Sequence, residues 1–105
     1  MKKVYVLDSY HTHSIQALIQ KLGYELCLDL KHANVALLSG KMILYGELNL
    51  PTNCRVVAMS TMSEFLNKIE HQVDATLDKS VLFGAFDSDI VSNEIRELMR
   101  KAIEG

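Results

Sequence analysis

The sequence predicts an α/β fold, in which helices cover both faces of a five-stranded parallel sheet to make a three-layer sandwich. Short apolar runs rich in β-branched residues recur along the chain, and the first of them ends at the carboxylate of Asp8. Unbroken apolar runs are typical of strands that are buried on both faces. Segments with apolar residues at helical spacing separate several of these runs. The length of 105 residues allows one substantial core, so we expect residues 1–105 to form a single domain.

Five segments are interpreted as strands: residues 3–8, 24–30, 35–39, 55–59 and 81–86. The second segment alternates polar and apolar side chains, which indicates a strand near the edge of the sheet. The third is apolar up to Ser39 and is therefore expected at the centre. Only residues 31–34 separate these two strands, so we expect the helix between them to be missing or stunted.

Four segments have the apolar spacing of amphipathic helices: residues 15–22, 42–48, 61–73 and 87–102. Gly23 is typical of the position just beyond a helix end. Thr61 and Glu64 have the spacing of a capping box, and Asp87 is expected to cap the last helix. The inner stripe of that last helix is predicted to be Val91, Ile95, Leu98, Met99 and Ala102.

Right-handed crossovers place helices on both faces of the sheet, and the flavodoxin-like strand order 2-1-3-4-5 follows. In such sheets, ligands bind in the crevice beyond the carboxyl ends of the strands. Asp8 lies at that edge and is followed by the polar loop of residues 9–13. This edge is therefore the first candidate for a chemical site.

Composition and charge exclude several classes of function. The net charge of −2 gives no electrostatic reason to expect binding to nucleic acid or to an anionic membrane. No apolar run approaches the length of a membrane span, and the first residues do not form a signal peptide. Cys27 and Cys54 lie in apolar surroundings without C-x-x-C spacing, so we expect buried, reduced thiols and a cytoplasmic protein.

The chain resembles the receiver domain of two-component response regulators over most of its length. Residues 2–8 resemble the first strand of a receiver, and residues 15–25 resemble its first helix and the turn after it. Residues 35–38 and 55–60 resemble its third and fourth strands, and residues 86–103 resemble its closing turn and last helix. The resemblance implies a phosphorylation site at the carboxyl ends of the strands.

Carried over position by position, the resemblance implies that this phosphorylation site is degenerate. Receivers hold Mg²⁺ with an acidic pair after strand one, and here Ser9 takes the second place beside Asp8. The phosphorylated aspartate falls on Ser39, the phosphate-contacting hydroxyl on Ser60 and the lysine on Gly84, so no cation is expected at this edge. One carboxylate and one hydroxyl are too few to hold a hard cation and a phosphoryl group. We therefore expect no catalytic residue, metal or cofactor, and interpret the chain as a non-enzymatic pseudo-receiver in signalling or transcriptional regulation.

The same resemblance implies a protein-interaction surface. Receivers commonly dimerise through the face formed by their helix 4, strand 5 and helix 5. The outward residues of the last helix here carry charges of both signs, which suits a self-complementary contact: Glu94, Arg96, Glu97, Arg100 and Lys101. We expect a protein partner or a homodimer through this face, with no direct binding of nucleic acid and no membrane.

A second resemblance leaves another class of function open. Residues 33–40 resemble the second apolar strand and turn of the small IIB components of sugar phosphotransferase systems. The nucleophile position of that family falls on Asp8. The alternative function is therefore a small IIB-like protein, or another ligand-binding or catalytic protein, that uses the edge formed by Asp8, Ser39 and Ser60.

A metal site and a hydrolytic site are two further interpretations of the same edge. His11 and His13 have a spacing that could bind a metal with Asp8, but solvated loop histidines are the favoured interpretation. A hydrolytic set of Asp8, one of these histidines and Ser39 or Ser60 would need an exposed nucleophile. The G-x-S-x-G turn that exposes such a serine is absent from the sequence.

Overall fold

The computed structural model describes residues 2–105 and has an α/β structure built on one five-stranded sheet. Its strands are β1 (Lys3–Leu7), β2 (Glu25–Leu26), β3 (Val35–Ser39), β4 (Arg55–Ser60) and β5 (Ala75–Asp78). Its α-helices are α1 (Thr12–Lys21), α2 (Gly40–Leu44), α3 (Ser63–Ile69), α4 (Phe83–Phe86) and α5 (Asn93–Glu104). All neighbouring strands are parallel and their order is β2-β1-β3-β4-β5. The predicted fold class and flavodoxin-like order are confirmed.

Two apolar cores lie on opposite faces of the sheet, because side chains alternate along each strand. On β3, Val35 and Leu37 belong to one core, whereas Ala36 and Leu38 belong to the other. The α-helical residues of the first core come from α1, α4 and α5: Ile15, Leu18, Ile19, Ala85, Met99, Ala102 and Ile103. Those of the second come from α2 and α3: Ile43, Leu66 and Ile69. Burial of each large aliphatic side chain contributes about 1.5–3 kcal/mol, so the unbroken apolar run of β3 reflects burial on both faces.

The connection between β2 and β3 confirms that no full helix fits there. A single 3₁₀ turn at Leu30–His32 spans it, and the side chain of Asp29 accepts a 3.0 Å hydrogen bond from the backbone N–H of Lys31. β2 itself is only two residues long, shorter than the predicted segment 24–30. The edge of the sheet is thus reduced to a minimal strand, as edge strands often are.

The prediction of strand five was wrong. Residues 81–86 lie in a 3₁₀ turn (Lys79–Leu82) and in α4, and the fifth strand is β5, which pairs with β4. β5 lies at the sheet edge and alternates exposed with buried or half-buried side chains, so it lacks an unbroken apolar run. Residues 81–86 are more apolar because Leu82, at the end of the 3₁₀ turn, and Ala85, on α4, point into the core.

Two predicted helix starts also lie elsewhere. α3 begins after Met62, which makes no side-chain capping bond, so the predicted capping box of Thr61 and Glu64 is not formed. α5 is capped by Ser92, whose hydroxyl accepts a hydrogen bond from the backbone N–H of Ile95, and Asp87 does not cap it. In the predicted inner stripe Leu98 is partly exposed, and Ile103 is buried in its place.

Smaller expectations have mixed outcomes. Gly23 does terminate α1 with a left-handed φ of 89°, as its position predicts. Cys27 and Cys54 are free thiols, but both are partly rather than fully buried. No helix among residues 2–105 is long and apolar enough to cross a membrane.

Candidate functional site

The buried polar and charged residues of the described chain gather at one edge of the sheet. Among residues 2–105 they are Asp8, Ser39, Ser60 and Lys79. Ser39 and Ser60 end β3 and β4, while Asp8 and Lys79 directly follow β1 and β5. Because buried polar groups cost stability, their concentration at the carboxyl ends of four parallel strands marks this edge as the candidate site.

Asp8 and Lys79 form a buried ion pair that connects the ends of β1 and β5. The Lys79 Nζ donates a 2.8 Å hydrogen bond to Asp8 Oδ2, and the Asp8 side chain is fully shielded from solvent. The ring of Tyr10 lies against the ammonium, with its centroid 5.8 Å from Nζ. The charge of Lys79 is therefore compensated within the protein.

The same carboxylate oxygen also organises the loop that begins α1. Asp8 Oδ2 accepts hydrogen bonds from the backbone N–H groups of Tyr10 (3.1 Å) and His11 (2.8 Å). The hydroxyl of Thr12 bonds both the backbone N–H and the carbonyl of Asp8, each at 2.8 Å. Asp8 thus satisfies backbone donors at a helix start where His11 offers no side-chain cap.

Two opposing influences act on the acidity of Asp8. Burial alone would raise the pKa of this carboxyl, but the hydrogen bond and charge of Lys79 and the two backbone N–H groups outweigh it and hold the pKa below its usual value. The carboxyl is therefore ionised at neutral pH and can balance Lys79.

The serine hydroxyls at this edge have protein partners. Ser39 Oγ lies 3.0 Å from Ser9 Oγ, and Ser60 Oγ accepts a 2.9 Å hydrogen bond from the backbone N–H of Met62. Neither hydroxyl is hydrogen-bonded to a histidine or a lysine, which a serine nucleophile needs for activation. The geometry therefore lacks the hydrolytic set of an acid, a histidine and an activated serine.

Beside these groups lies a half-open pocket of about 220 Å³. Two lysines, several hydroxyl groups and three large apolar side chains line it, without any carboxylate: Ser9, Tyr10, Ser39, Lys41, Met59, Ser60, Thr61, Met62, Phe65 and Lys79. Its position next to β1 and β3 is the point at which the strand order reverses, where open parallel sheets bind ligands.

The histidines of the first loop do not converge. His11 is half-buried, with its ring 5.0 Å from that of Phe83 and 5.7 Å from that of Phe86. The expectation of a solvated loop histidine was therefore wrong for His11, whereas His13 is exposed as expected but lies on α1 rather than in a loop. His11 Nδ1 lies 3.6 Å from Asp8 Oδ2, too far for a hydrogen bond. Among residues 2–105, no three His, Cys, Asp or Glu residues are grouped as a metal would need.

Sequence reasoning missed Lys79 because it misplaced strand five. Gly84, to which the resemblance assigns the lysine position, lies exposed on α4 and does not line the pocket. The available signal was the alternation of residues 73–78, which predicts a half-buried edge strand ending directly before a lysine. The expectation that this edge lacks a cation was therefore wrong.

The five residues expected on the interaction face are all exposed on α5: Glu94, Arg96, Glu97, Arg100 and Lys101. Glu97 and Arg100 are hydrogen-bonded to each other, and this bond lowers the pKa of the Glu97 carboxyl. Arg96 and Lys101 make no ion pair within residues 2–105 and are available to other molecules.

Comparison with protein-family models, with curated proteins and with solved structures finds no match to this chain. Its function is therefore argued from its own residues.

Proposed function

We propose that the chain is a receiver-like module that is not phosphorylated and that works through protein contacts in signalling or transcriptional regulation. The observation that carries this proposal is the gathering of Asp8, Ser39, Ser60 and Lys79 at one sheet edge. The resemblance assigns receiver site positions to the first three residues and its lysine to Gly84, whereas the cation at this edge is Lys79, directly after β5. Ser39 at the acceptor position has no carboxylate with which to attack a phosphoryl donor.

The ion pair between Asp8 and Lys79 supports this proposal, because it occupies the charged groups that would otherwise bind a cation or a phosphoryl group. Lys79, the buried cation at this edge, is hydrogen-bonded to Asp8. With Ser9 in the second acidic place, the edge offers one carboxylate for a divalent cation, and that carboxylate is already paired. A module of this kind would be held in one state without phosphate.

The proposed interaction surface is the exposed face of α5 together with β5 and α3. The helix α3 lies between β4 and β5 and therefore takes the place of the family's helix 4. The partner is a second copy of the chain or another protein with charges of both signs. Exposed ion pairs at the rim of an interface contribute about 0.2–1 kcal/mol each, so contacts through Arg96 and Lys101 would orient a dimer more than tighten it. Leu98 is partly exposed beside Lys101 and adds apolar area to this face.

Intact-mass spectrometry after incubation with acetyl phosphate and Mg²⁺ tests the loss of phosphorylation. We expect no added phosphoryl group on the wild type. The double variant Ser9→Asp/Ser39→Asp restores the acidic pair and the acceptor beside Ser60 and Lys79, and should gain a hydroxylamine-labile phosphoryl group. Phosphorylation of the wild-type chain would refute the proposal.

Light scattering across a concentration series tests the interaction surface. The double variant Arg96→Glu/Arg100→Glu should remain monomeric where the wild type associates. The matched control Lys2→Glu/Lys31→Glu makes the same change in charge on exposed residues outside α5 and should behave as the wild type. If the wild type stays monomeric and the α5 variant binds other proteins as well as the wild type does, this face is only a solvated surface.

A second candidate is a small ligand-binding protein that uses the edge of Asp8, Ser39 and Ser60. The pocket of about 220 Å³ beside these residues favours it. It is large enough for a small molecule, although smaller than the roughly 300–1,000 Å³ typical of drug-sized ligands. Binding without chemistry fits the serine hydroxyls, which have no activating base.

A further inference from the structure

The pocket combines a polar floor with an apolar wall. Ser39 and Ser60 are buried at the ends of β3 and β4, whereas Met62 and Phe65 at the start of α3 present apolar surface to the same space. The exposed ring of Tyr10 lines it as well. A ligand that satisfies both kinds of surface must have a polar group and an apolar body.

The side chains that line the pocket contribute one uncompensated positive charge. Lys79 is neutralised by Asp8, while Lys41 makes no ion pair within residues 2–105. No Asp or Glu lines the pocket to repel an anion. Lys41 therefore supplies an uncompensated ammonium group at a pocket whose remaining polar groups are hydroxyls, and these can donate hydrogen bonds to an anion.

We propose that this pocket binds a small, singly charged acid with an apolar body, its anionic group at Lys41 and its body against Met62 and Phe65. The size agrees, since a cavity of about 150 Å³ accommodates a benzene ring and the remainder would hold one carboxylate. This inference rests on the second candidate function, the ligand-binding protein, and leaves the interaction-module proposal independent.

Backbone amide NMR of the ¹⁵N-labelled full chain, titrated with sodium benzoate at constant ionic strength, tests the proposal. Saturable shifts are expected at the amides of residues 39–41 and 60–62. Benzamide has the same body without the charge and should bind about five-fold more weakly, since one exposed ion pair is worth up to about 1 kcal/mol. Phenyl phosphate, which carries about −1.5 to −2 charges at pH 7, should bind no more tightly than benzoate, and tighter binding would overturn the singly charged class. Inorganic phosphate lacks the apolar body and should not saturate.

Two variants locate the anionic group. Lys41→Gln should lower the affinity for benzoate to that for benzamide, and Lys68→Gln, an exposed lysine of α3 that does not line the pocket, should leave it unchanged. An unchanged affinity in Lys41→Gln would overturn the proposal. Equal binding of benzoate and benzamide would overturn the acid class while the ligand-binding candidate stands. No shift at these amides with any of the probes would overturn both.

Discussion

Lys79 Nζ and Asp8 Oδ2 lie 2.8 Å apart and join two strand ends that are 71 residues apart in sequence. Both side chains are nearly excluded from solvent. Removing charges from water is expensive, and the cost is recovered only where the pair is close and further hydrogen bonds satisfy it. Asp8 Oδ2 has such bonds from two backbone N–H groups, so the pair and the loop before α1 form one unit, although the buried Oδ1 has no hydrogen-bond partner among residues 2–105.

Loss of one partner should therefore destabilise the fold strongly. We expect Lys79→Met to lower the free energy of unfolding by about 3–5 kcal/mol, because it leaves the Asp8 carboxylate buried without its cation. Urea denaturation followed by circular dichroism measures this change. The matched control Lys68→Met replaces an exposed lysine and should stay within about 0.5 kcal/mol of the wild type.

The double variant Asp8→Asn/Lys79→Met separates the ion pair from the rest of the environment. Because both charges are then absent, its loss of stability should be smaller than the sum of the two single losses by at least about 1 kcal/mol. An additive result, or a cost below about 1 kcal/mol for Lys79→Met alone, would show that the two groups are not coupled.

Acid should remove the contribution of Asp8 to stability. Its pKa in the folded protein is below that in the unfolded chain, about 3.9, so the unfolded state takes up protons first as the pH falls. The contribution is therefore fully present at neutral pH and is lost progressively as the pH falls from about 5 through the folded pKa. The difference in unfolding free energy between wild type and Asp8→Asn, measured by urea denaturation at each pH, should shrink over this range. A difference that stays constant down to about pH 2 would contradict the assignment.

The sequence predicted the centre of the sheet better than its edges, for a physical reason. Every residue of β3 is buried, because both faces of the strand are covered, and its apolar run correctly predicted a central strand. β5 is exposed on alternate residues and carries only a weak pattern, while the more apolar residues 81–86 compete with it. That run contains Gly84, and glycine is unfavourable in a strand interior.

The misplacement of strand five also affected the prediction of the candidate site. Three of its four buried polar residues follow or end strands that were predicted correctly, namely Asp8, Ser39 and Ser60. Lys79 follows the strand that was misplaced. Burial of a lysine is not visible in a sequence, because it depends on the partner that the fold brings to it, here Asp8 from the other end of the chain.

Two glycines allow a matched test of backbone conformation. Gly23 has a φ of 89° after α1, a region that side-chain-bearing residues enter at a cost, so Gly23→Ala should destabilise the protein by about 1 kcal/mol. Gly84 lies on α4 with open space around the position of a Cβ atom, so Gly84→Ala should be neutral or stabilising by up to about 1 kcal/mol. Thermal unfolding of both variants measures the contrast, and equal effects would contradict it.

The two cysteines should remain free thiols. Cys27 follows β2 and Cys54 precedes β4, and two strands, β1 and β3, lie between them in the sheet. A disulfide requires Cα atoms within about 7 Å, which this arrangement disfavours. Intact-mass spectrometry of freshly purified, non-reduced protein after alkylation should therefore count two modified thiols. A protein with one internal bridge would contradict this prediction.

Cys54 should also react slowly while the protein is folded. Burial raises the pKa of its thiol, and the negative charge of Asp74 and, after it, the Cys27 thiol act in the same direction. Because the thiolate is the nucleophile, a raised pKa lowers the reactive fraction at neutral pH, and partial burial further limits access of the reagent. Iodoacetamide labelling at several pH values, with peptide mapping to resolve Cys54 from Cys27, compares the folded chain with the chain unfolded in urea. The pH midpoint of Cys54 labelling should be higher in the folded chain, and an equal or lower midpoint would show that its environment does not disfavour the thiolate.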